Sequence, residues 1–152
     1  MASNASCIFC KIIKGEIPCF KLLETSTTLS FLDIQPTAHG HVLVIPKYHA
    51  ARFHNIPDEY LTDTLPMIKK LTKVLRLDED HGLDGEGYNI LQNNGKIAHQ
   101  EIDHVHFHLI PKKDAKTGLS MSWPAQPTDF DALGKLHKEL LAELEADQEE
   151  KL

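Results

Sequence analysis

Three histidines alternate with apolar residues in one short stretch of the chain. His104, His106 and His108 are separated by Val105 and Phe107 in the sequence HVHFH. Strict alternation predicts a β-strand, in which successive side chains point to opposite faces. The three imidazoles would then share one face, while the apolar residues between them are buried. Because residues two apart on a strand lie about 6.6–7 Å from each other, the row suits an extended polar ligand better than a single atom.

The chemistry of a row of imidazoles leaves two interpretations open. Imidazole can be neutral, nucleophilic and hydrogen-bonding near pH 7. Neighbouring rings resist joint protonation, so one ring stays free to attack while a protonated neighbour can pair with an anion. The row could form a three-histidine catalytic zinc site, or it could supply a nucleophile that attacks phosphorus between two phosphate contacts. Strand geometry disfavours the zinc site unless another segment supplies the third ligand.

A pair of cysteines near the N-terminus forms a second candidate group. Cys7 and Cys10 have the CxxC spacing, which occurs in zinc half-sites, in redox pairs and in pairs of small buried residues. A redox pair would need a preceding strand, and no strand pattern precedes this one. A structural zinc ion would need two further ligands from elsewhere in the chain, because such sites are four-coordinate.

Composition excludes several classes of protein. The 152 residues fit one domain, and the formal net charge of −6 argues against a general nucleic-acid surface. We see no apolar run of about 18 residues that could span a membrane and no basic, apolar signal peptide. The odd count of three cysteines indicates a reducing compartment, so we expect a cytoplasmic and possible nuclear location.

Hydrophobic periodicity predicts the elements that position these residues. The segment CIFCKIIKGEIP, residues 7–18, is typical of a short helix, and LSFLDI (29–34) and HVLVIP (41–46) are typical of strands in an antiparallel hairpin. A helix is predicted from the IPDE signal at 56–59 to about Leu77, and Pro66 should either kink it or move its start later.

The remaining chain predicts a loop, a strand and a final helix. A glycine-rich acidic loop covers residues 78–87, and GYNILQN returns to the strand pattern. Thr128 is the expected cap of the final helix. The apolar face of that helix comprises Phe130, Leu133, Leu136, Leu140, Leu141 and Leu144. The acidic tail from residue 146 onward is expected to fray.

These motifs resemble the histidine-triad (HIT) superfamily. HVHFHLI matches the triad, while CIFCKIIKGEIP, FLDIQPTAHGHVLVIPKYH, NILQNNG and the closing WP are similar to the nucleotide-binding Hint branch. The match covers about residues 7–124, and the whole chain resembles a fungal-type member. It implies one HIT domain over residues 1–152, with a helical extension at about 128–147. The implied fold is α+β, an antiparallel sheet with a long central helix, a short N-terminal helix and a C-terminal helix.

The same resemblance implies an activity. Members cleave the P–N bond of adenosine 5'-phosphoramidates and related AMP conjugates, releasing AMP through a phosphohistidine, and they bind purine nucleoside monophosphates as homodimers. Catalysis by that route needs no metal. Two alternatives remain, a nucleotide sensor or scaffold with little turnover and a dinucleoside polyphosphate hydrolase. The CIFCKI and WP motifs disfavour the hydrolase of polyphosphates.

Site residues follow from the resemblance by position. His106 is the implied nucleophile, and the middle of three rings is also the one flanked on both sides. The implied nucleotide-binding residues are Asp33, Ile34, His41, Asn93, His99, Gln100, Glu101, His106 and His108. Asp33 and Ile34 would hold the ribose and base, and the segment 99–101 would line the α-phosphate.

A structural zinc ion is also implied by the resemblance. Its ligands would be Cys7, Cys10, His49 and His104, with His99 as a rival fourth ligand. His99 and Glu101 stand where small glycine and hydroxyl residues are common in the family. Glu101 is therefore hypothesised to favour a cationic amine leaving group, which turnover of lysyl and alkyl phosphoramidates by Glu101→Ser would test. The Trp123 segment is followed by an extra helix, which the smallest members of the family lack.

Overall fold

Five strands form one antiparallel sheet in the part of the chain that the computed structural model describes, residues 2–80 and 85–150. The strands are β1 (Lys21–Glu24), β2 (Thr28–Leu32), β3 (Val42–Pro46), β4 (Gly87–Gln92) and β5 (Phe107–Lys112). Their order across the sheet is β1-β2-β3-β5-β4. Three helices accompany them, α1 (Ile8–Ile13), α2 (Thr64–Val74) and α3 (Phe130–Glu150). The predicted α+β class is confirmed.

The central strand β3 is covered on both faces, which explains its continuous apolar sequence. Val42 and Val44 pack in the larger core cluster, which also contains the buried residues of α2. Leu43 and Ile45 point the other way and pack with Phe9 of α1. The predicted hairpin of β2 and β3 is confirmed, with Leu29 opposite Ile45 and Phe31 opposite Leu43.

The long central helix is shorter than the sequence pattern predicts. Two 3₁₀ turns, Phe53–Asn55 and Asp58–Tyr60, precede α2, which begins only at Thr64. Pro66 therefore lies in the first turn, where a backbone N–H has no partner within the helix and proline is tolerated. Of the two expectations for this proline, the later start is confirmed. The predicted end at Leu77 is wrong, because the helix stops at Val74.

The histidine strand begins later than predicted. β5 starts at Phe107, so His108 lies within the strand while His104 and His106 precede it. Pairing of β3 with β5 ends at Val44 opposite Phe107. The Val105 N–H donates instead to the Ala50 carbonyl, at 2.9 Å. A loop carbonyl thus replaces the neighbouring strand as the partner of this segment.

The chain divides into two compact units, one up to Ser120 and the other from Met121 onward. In the second unit, Asp129 rather than Thr128 caps α3, because its Oδ1 accepts the Ala132 N–H at 3.0 Å. The predicted fraying from residue 146 is wrong, since the helix continues to Glu150. The apolar side chains of α3 are exposed, as its residues are throughout.

Two remaining expectations concern the loop at 78–87 and the membrane. Residues 81–84 of that loop lie outside the described residues. Among the described residues, the helices are all too short or too polar to cross a lipid bilayer.

Candidate functional site

The three histidine rings lie at the start of β5, and the aromatic ring of Phe9 from α1 packs against two of them. The His106 and His108 ring centroids are 4.9 Å apart, and Phe9 packs edge-on against His104 and His106 at 5.8 and 5.3 Å. His104 is fully buried and His106 is 7% exposed. An aromatic side chain that the sequence did not single out therefore shields two of the three rings from water.

A backbone carbonyl determines the proton position on His106. Its Nδ1 lies 2.7 Å from the carbonyl oxygen of His104, two residues earlier. A carbonyl can only accept a hydrogen bond, so Nδ1 carries the ring proton. Burial lowers the pKa of His106 from its ordinary value, although the carboxylates of Asp33 and Glu101 oppose that shift. In the neutral ring the Nε2 atom therefore keeps a free lone pair.

His41 and His108 form a directed chain of hydrogen bonds. The backbone N–H of Thr37 donates to His41 Nδ1 at 3.2 Å, so the proton of the neutral His41 ring sits on Nε2. That Nε2–H donates to His108 Nδ1 at 2.9 Å. His108 must then carry its own proton on Nε2, where it is available as a donor. Asp33 Oδ2 lies 3.5 Å from His41 Nε2 and completes the group.

Asp33, His41 and His108 are also close enough to hold a metal ion. An ion between them would need lone pairs on His41 Nε2 and His108 Nδ1. The Thr37 amide already occupies the other lone pair of His41, which leaves Nε2 protonated. The observed hydrogen bonds therefore favour proton donation toward a ligand over metal binding at this place.

Burial keeps these rings neutral. It lowers the pKa of His41 and is the main cause that lowers the pKa of His108 to about 4, with the charges of His106 and His41 adding to the shift. The expectation that a protonated neighbour pairs with an anion is therefore wrong for the free protein near pH 7. An anion at this site would meet N–H donors rather than cationic rings.

Asp33 and Ile34 lie just after β2, at the mouth of the loop that leads to His41. The Asp33 N–H donates to the His41 carbonyl at 3.0 Å, and its Oδ1 accepts the Gln35 N–H at 2.8 Å. Ile34 is 79% exposed beside it. Asp33 thus presents a carboxylate, and Ile34 an exposed apolar side chain, next to the His41–His108 pair.

The loop between β4 and β5 brings the other predicted site residues together. Asn93 Nδ2 donates to the His99 carbonyl at 3.2 Å. A cavity of about 380 Å³ is lined by Lys96, His99, Gln100 and Glu101. Within the described part of the chain, the Glu101 backbone N–H has no hydrogen-bond acceptor. The side chain of Gln100 is 2% exposed and bonded to the chain, so it is not free to contact a ligand.

The four predicted metal ligands converge around His104, the first ring of the row. His104 Nδ1 lies 3.5 Å from Cys7 Sγ, 3.6 Å from Cys10 Sγ and 3.2 Å from His49 Nδ1. His104 Nε2 donates to the Pro46 carbonyl at 2.8 Å, which leaves Nδ1 with its lone pair toward the cluster. His99, the rival fourth ligand, is not part of this group.

Sequence reasoning missed the residues that act through backbone atoms or packing. Phe9, Thr37 and Arg52 each contact a site residue, yet none has a type or spacing that indicates a site. The contact between Thr37 and His41 is visible only once the loop conformation is known. Arg52 is joined to Gln100 across 48 positions of sequence.

Comparisons with known proteins agree with this architecture. A model of the HIT domain matches residues 14–115. An adenosine 5'-monophosphoramidase of Candida albicans is 70% identical over 100% of both chains, and one of Saccharomyces cerevisiae is 67% identical over 93% of this chain and 85% of that one. The crystal structure of a histidine triad nucleotide-binding protein from Candida albicans has a TM-score of 0.90, with 70% identity over 93% of this chain and 99% of that chain. This chain belongs to the HIT family.

Proposed function

We propose that this protein is a hydrolase that cleaves the P–N bond of adenosine 5'-phosphoramidates and related AMP conjugates, releasing AMP. The observation that carries the proposal is the buried, neutral His106, whose Nδ1–H is bonded to a carbonyl while Nε2 has no hydrogen-bond partner among the described residues. The names of the curated relatives, adenosine 5'-monophosphoramidases at 70% and 67% identity, support the same activity. They favour it over the polyphosphate hydrolase and the sensor with little turnover.

His106 is the proposed nucleophile. Its Nε2 lone pair forms a bond to phosphorus as the P–N bond breaks, and the departing nitrogen takes up a proton from solvent and leaves as an amine. Positive charge develops on the ring, and the Nδ1–H bond to the His104 carbonyl stabilises it. Water then attacks phosphorus and gives up a proton to solvent, the bond between His106 Nε2 and phosphorus breaks, and AMP leaves with His106 neutral again. No step requires a metal ion.

Two donors near His106 are proposed to stabilise the phosphoryl oxygens. The Nε2–H of His108 is one, and its direction is determined by the chain from Thr37 through His41. The amide of Glu101, which has no acceptor in the described part of the chain, is the other. Donors fixed in advance around a developing negative charge lower the barrier, because they need no reorganisation during the reaction.

The remaining site residues are proposed to hold the nucleoside. Asp33 has a carboxylate that can accept from ribose hydroxyls, and Ile34 beside it offers apolar contact to a purine. Asn93 and His99 line the sugar and phosphate side, where they are joined by a hydrogen bond. This arrangement supports purine nucleoside monophosphates as ligands.

A structural zinc ion is proposed at Cys7, Cys10, His49 and His104. Tetrahedral zinc with bonds of about 2.0–2.1 Å to nitrogen and 2.3 Å to sulfur places its ligand atoms about 3.3–3.8 Å apart. The four separations between ring nitrogens and thiol sulfurs or each other here run from 3.2 to 3.6 Å. Two thiols and two imidazole lone pairs are also ligands that zinc prefers. When bound, the ion would tie α1 to the segments that carry His49 and His104.

A homodimer is proposed from the edge of the sheet. β4 is an edge strand on which Tyr88 and Ile90 are 41% and 49% exposed. On α2, Leu65 and Val74 are 59% and 69% exposed. An unpaired edge and exposed apolar side chains favour pairing with a second copy. A molar mass of two chains by light scattering is expected, and a monomer at micromolar concentration would contradict it.

A cytoplasmic and nuclear location is proposed as well. The three cysteines are all free thiols, which supports a reducing compartment. Microscopy of a fluorescent fusion would test this assignment.

Replacing His106 with asparagine should remove turnover while leaving nucleotide binding. We expect kcat on adenosine phosphoramidate to fall by at least about three orders of magnitude, because asparagine has no ring nitrogen with which to attack phosphorus. Intact-mass analysis after a denaturing quench should find an AMP adduct in the wild type and none in His106→Asn. His137→Asn, an exposed histidine on α3, is the matched control and should be fully active. Full activity in His106→Asn would end the assignment.

The pH dependence of kcat/KM should reflect the lowered pKa of His106. Only the neutral ring attacks, and kcat/KM reports groups of the free enzyme. Because burial lowers the pKa of His106 from its ordinary value, the acid limb of kcat/KM should be centred below pH 6.5, the ordinary pKa of histidine. An acid limb centred at or above pH 6.5 would mean that His106 is not held neutral by burial.

Zinc content should depend on one cysteine and not on another. Metal analysis of the purified protein should find one zinc ion per chain in the wild type and in Cys19→Ser, which lies outside the cluster. Cys7→Ser should lose the metal. With free zinc at a hundredfold the Kd of the wild type, the free energy of unfolding of Cys7→Ser should be about 3 kcal/mol lower than that of the wild type. A wild type without stoichiometric zinc would refute the site.

A further inference from the structure

We propose that Gln100 and Arg52 form a clamp that positions the Glu101 amide for the phosphate of the ligand. The clamp comprises these two side chains and the loop atoms they bond. Neither side chain is expected to touch the nucleotide. The inference rests on the proposed function, because it concerns residues 99–101, the segment proposed to line the phosphate.

The Gln100 side chain uses all of its hydrogen-bonding capacity within the protein. Its Oε1 accepts the Gly95 N–H at 2.8 Å and Arg52 Nη1 at 2.7 Å. Its Nε2 donates to the carbonyls of Ala51 at 2.7 Å and Ile102 at 3.0 Å. With 2% exposure it is a buried hub. A buried amide with four partners is costly to disturb, because each lost bond leaves another buried polar group unpaired.

The bonds of Gln100 hold the Glu101 peptide from both sides. The Gln100 backbone N–H donates to the Gly95 carbonyl at 3.0 Å, immediately before Glu101. Its side chain bonds the Ile102 carbonyl, immediately after Glu101. The residue between these two anchored points is Glu101, whose amide has no acceptor among the described residues. The clamp therefore determines where that donor points.

The loop conformation needs such support. His99 adopts a left-handed backbone with φ of 65°, which is unfavourable for a residue with a Cβ, and Gly95 has φ of 92°. Strained backbone at a ligand site persists only where surrounding contacts over-determine it. Here the residue directly after His99 supplies those contacts.

Arg52 connects the hub to a second segment. Its Nη1 bonds Gln100 Oε1 and lies 3.7 Å from Asp103 Oδ1, while the next residue, Phe53, donates its N–H to Asn94 Oδ1 at 2.8 Å. Residues 51–53 thus run beside the loop between β4 and β5 and form hydrogen bonds with it at several points. Arg52 is placed to orient Gln100 rather than to act alone.

The test compares the affinities of AMP and adenosine, which differ only in the phosphate. Calorimetric titration should show that Gln100→Leu weakens AMP binding by about tenfold or more, the effect of losing one hydrogen bond to a charged group. Adenosine binding should change less than about twofold, since Asp33 and Ile34 lie elsewhere. A general loss of structure would weaken both ligands together.

Arg52→Met is the second variant, in case Gln100→Leu does not fold. It should lower AMP affinity in the same direction by a smaller factor, and Arg76→Met, on the surface beside Glu79, is its matched control. The double variant should bind AMP no more weakly than Gln100→Leu, because the two residues act as one unit.

Each outcome decides the matter. An unchanged ratio of AMP to adenosine affinity in Arg52→Met, a proportional loss of both ligands, or additive losses in the double variant would overturn the clamp. If the wild type hydrolyses phosphoramidates while the ratio stays unchanged, only the clamp fails. If the variants show the predicted change in the ratio of AMP to adenosine affinity while the wild type shows no hydrolysis, the proposed function fails and the clamp stands.

Discussion

Three backbone groups decide which nitrogen of each site histidine carries its proton. The carbonyls of Pro46 and His104 accept from His104 Nε2 and His106 Nδ1, and the Thr37 amide donates to His41 Nδ1. Each contact leaves the opposite nitrogen with a defined role. His104 presents a lone pair to the two cysteines, and His106 presents one on its Nε2. His41 presents its Nε2–H, which donates a hydrogen bond to His108 Nδ1. Neighbouring residues of one type thus differ in chemistry because their backbone partners differ.

These contacts depend on the packing of the sheet. β3 begins directly after His41 and ends at Pro46. One buried strand therefore positions both the carbonyl that His104 donates to and the histidine that donates to His108. The pairing of β3 with β5, in which Leu43 lies opposite His108, brings His108 next to His41. Phe9 then covers His104 and His106 and excludes water from them. Burial keeps the rings neutral. Without it a second proton on a ring would make both of its nitrogens donors and so remove the distinction between donor and acceptor.

Much of the sheet could be predicted because its signals are local. The alternating and β-branched runs of β2 and β3 and the polar loop between them are sufficient for a hairpin. The start of β5 could not be predicted, because it depends on Ala50 replacing β3 as the partner of Val105. Gln100 is the clearest case at the site. A glutamine in a polar loop reads as a ligand contact, yet its side chain is consumed by bonds to Ala51 and Arg52, which are distant in sequence. The tautomers, too, follow from backbone positions that residue types do not encode.

The central claim is that backbone hydrogen bonds fix the histidine tautomers, and NMR of protein labelled with ¹⁵N-histidine measures this directly. Long-range ¹H–¹⁵N correlation spectra at pH 7, assigned with single histidine variants, distinguish the two neutral forms and the cation. The account predicts that His106 is neutral with its proton on Nδ1, whereas His41 and His108 are neutral with theirs on Nε2. A cationic His106, or a neutral His106 protonated on Nε2, would contradict it.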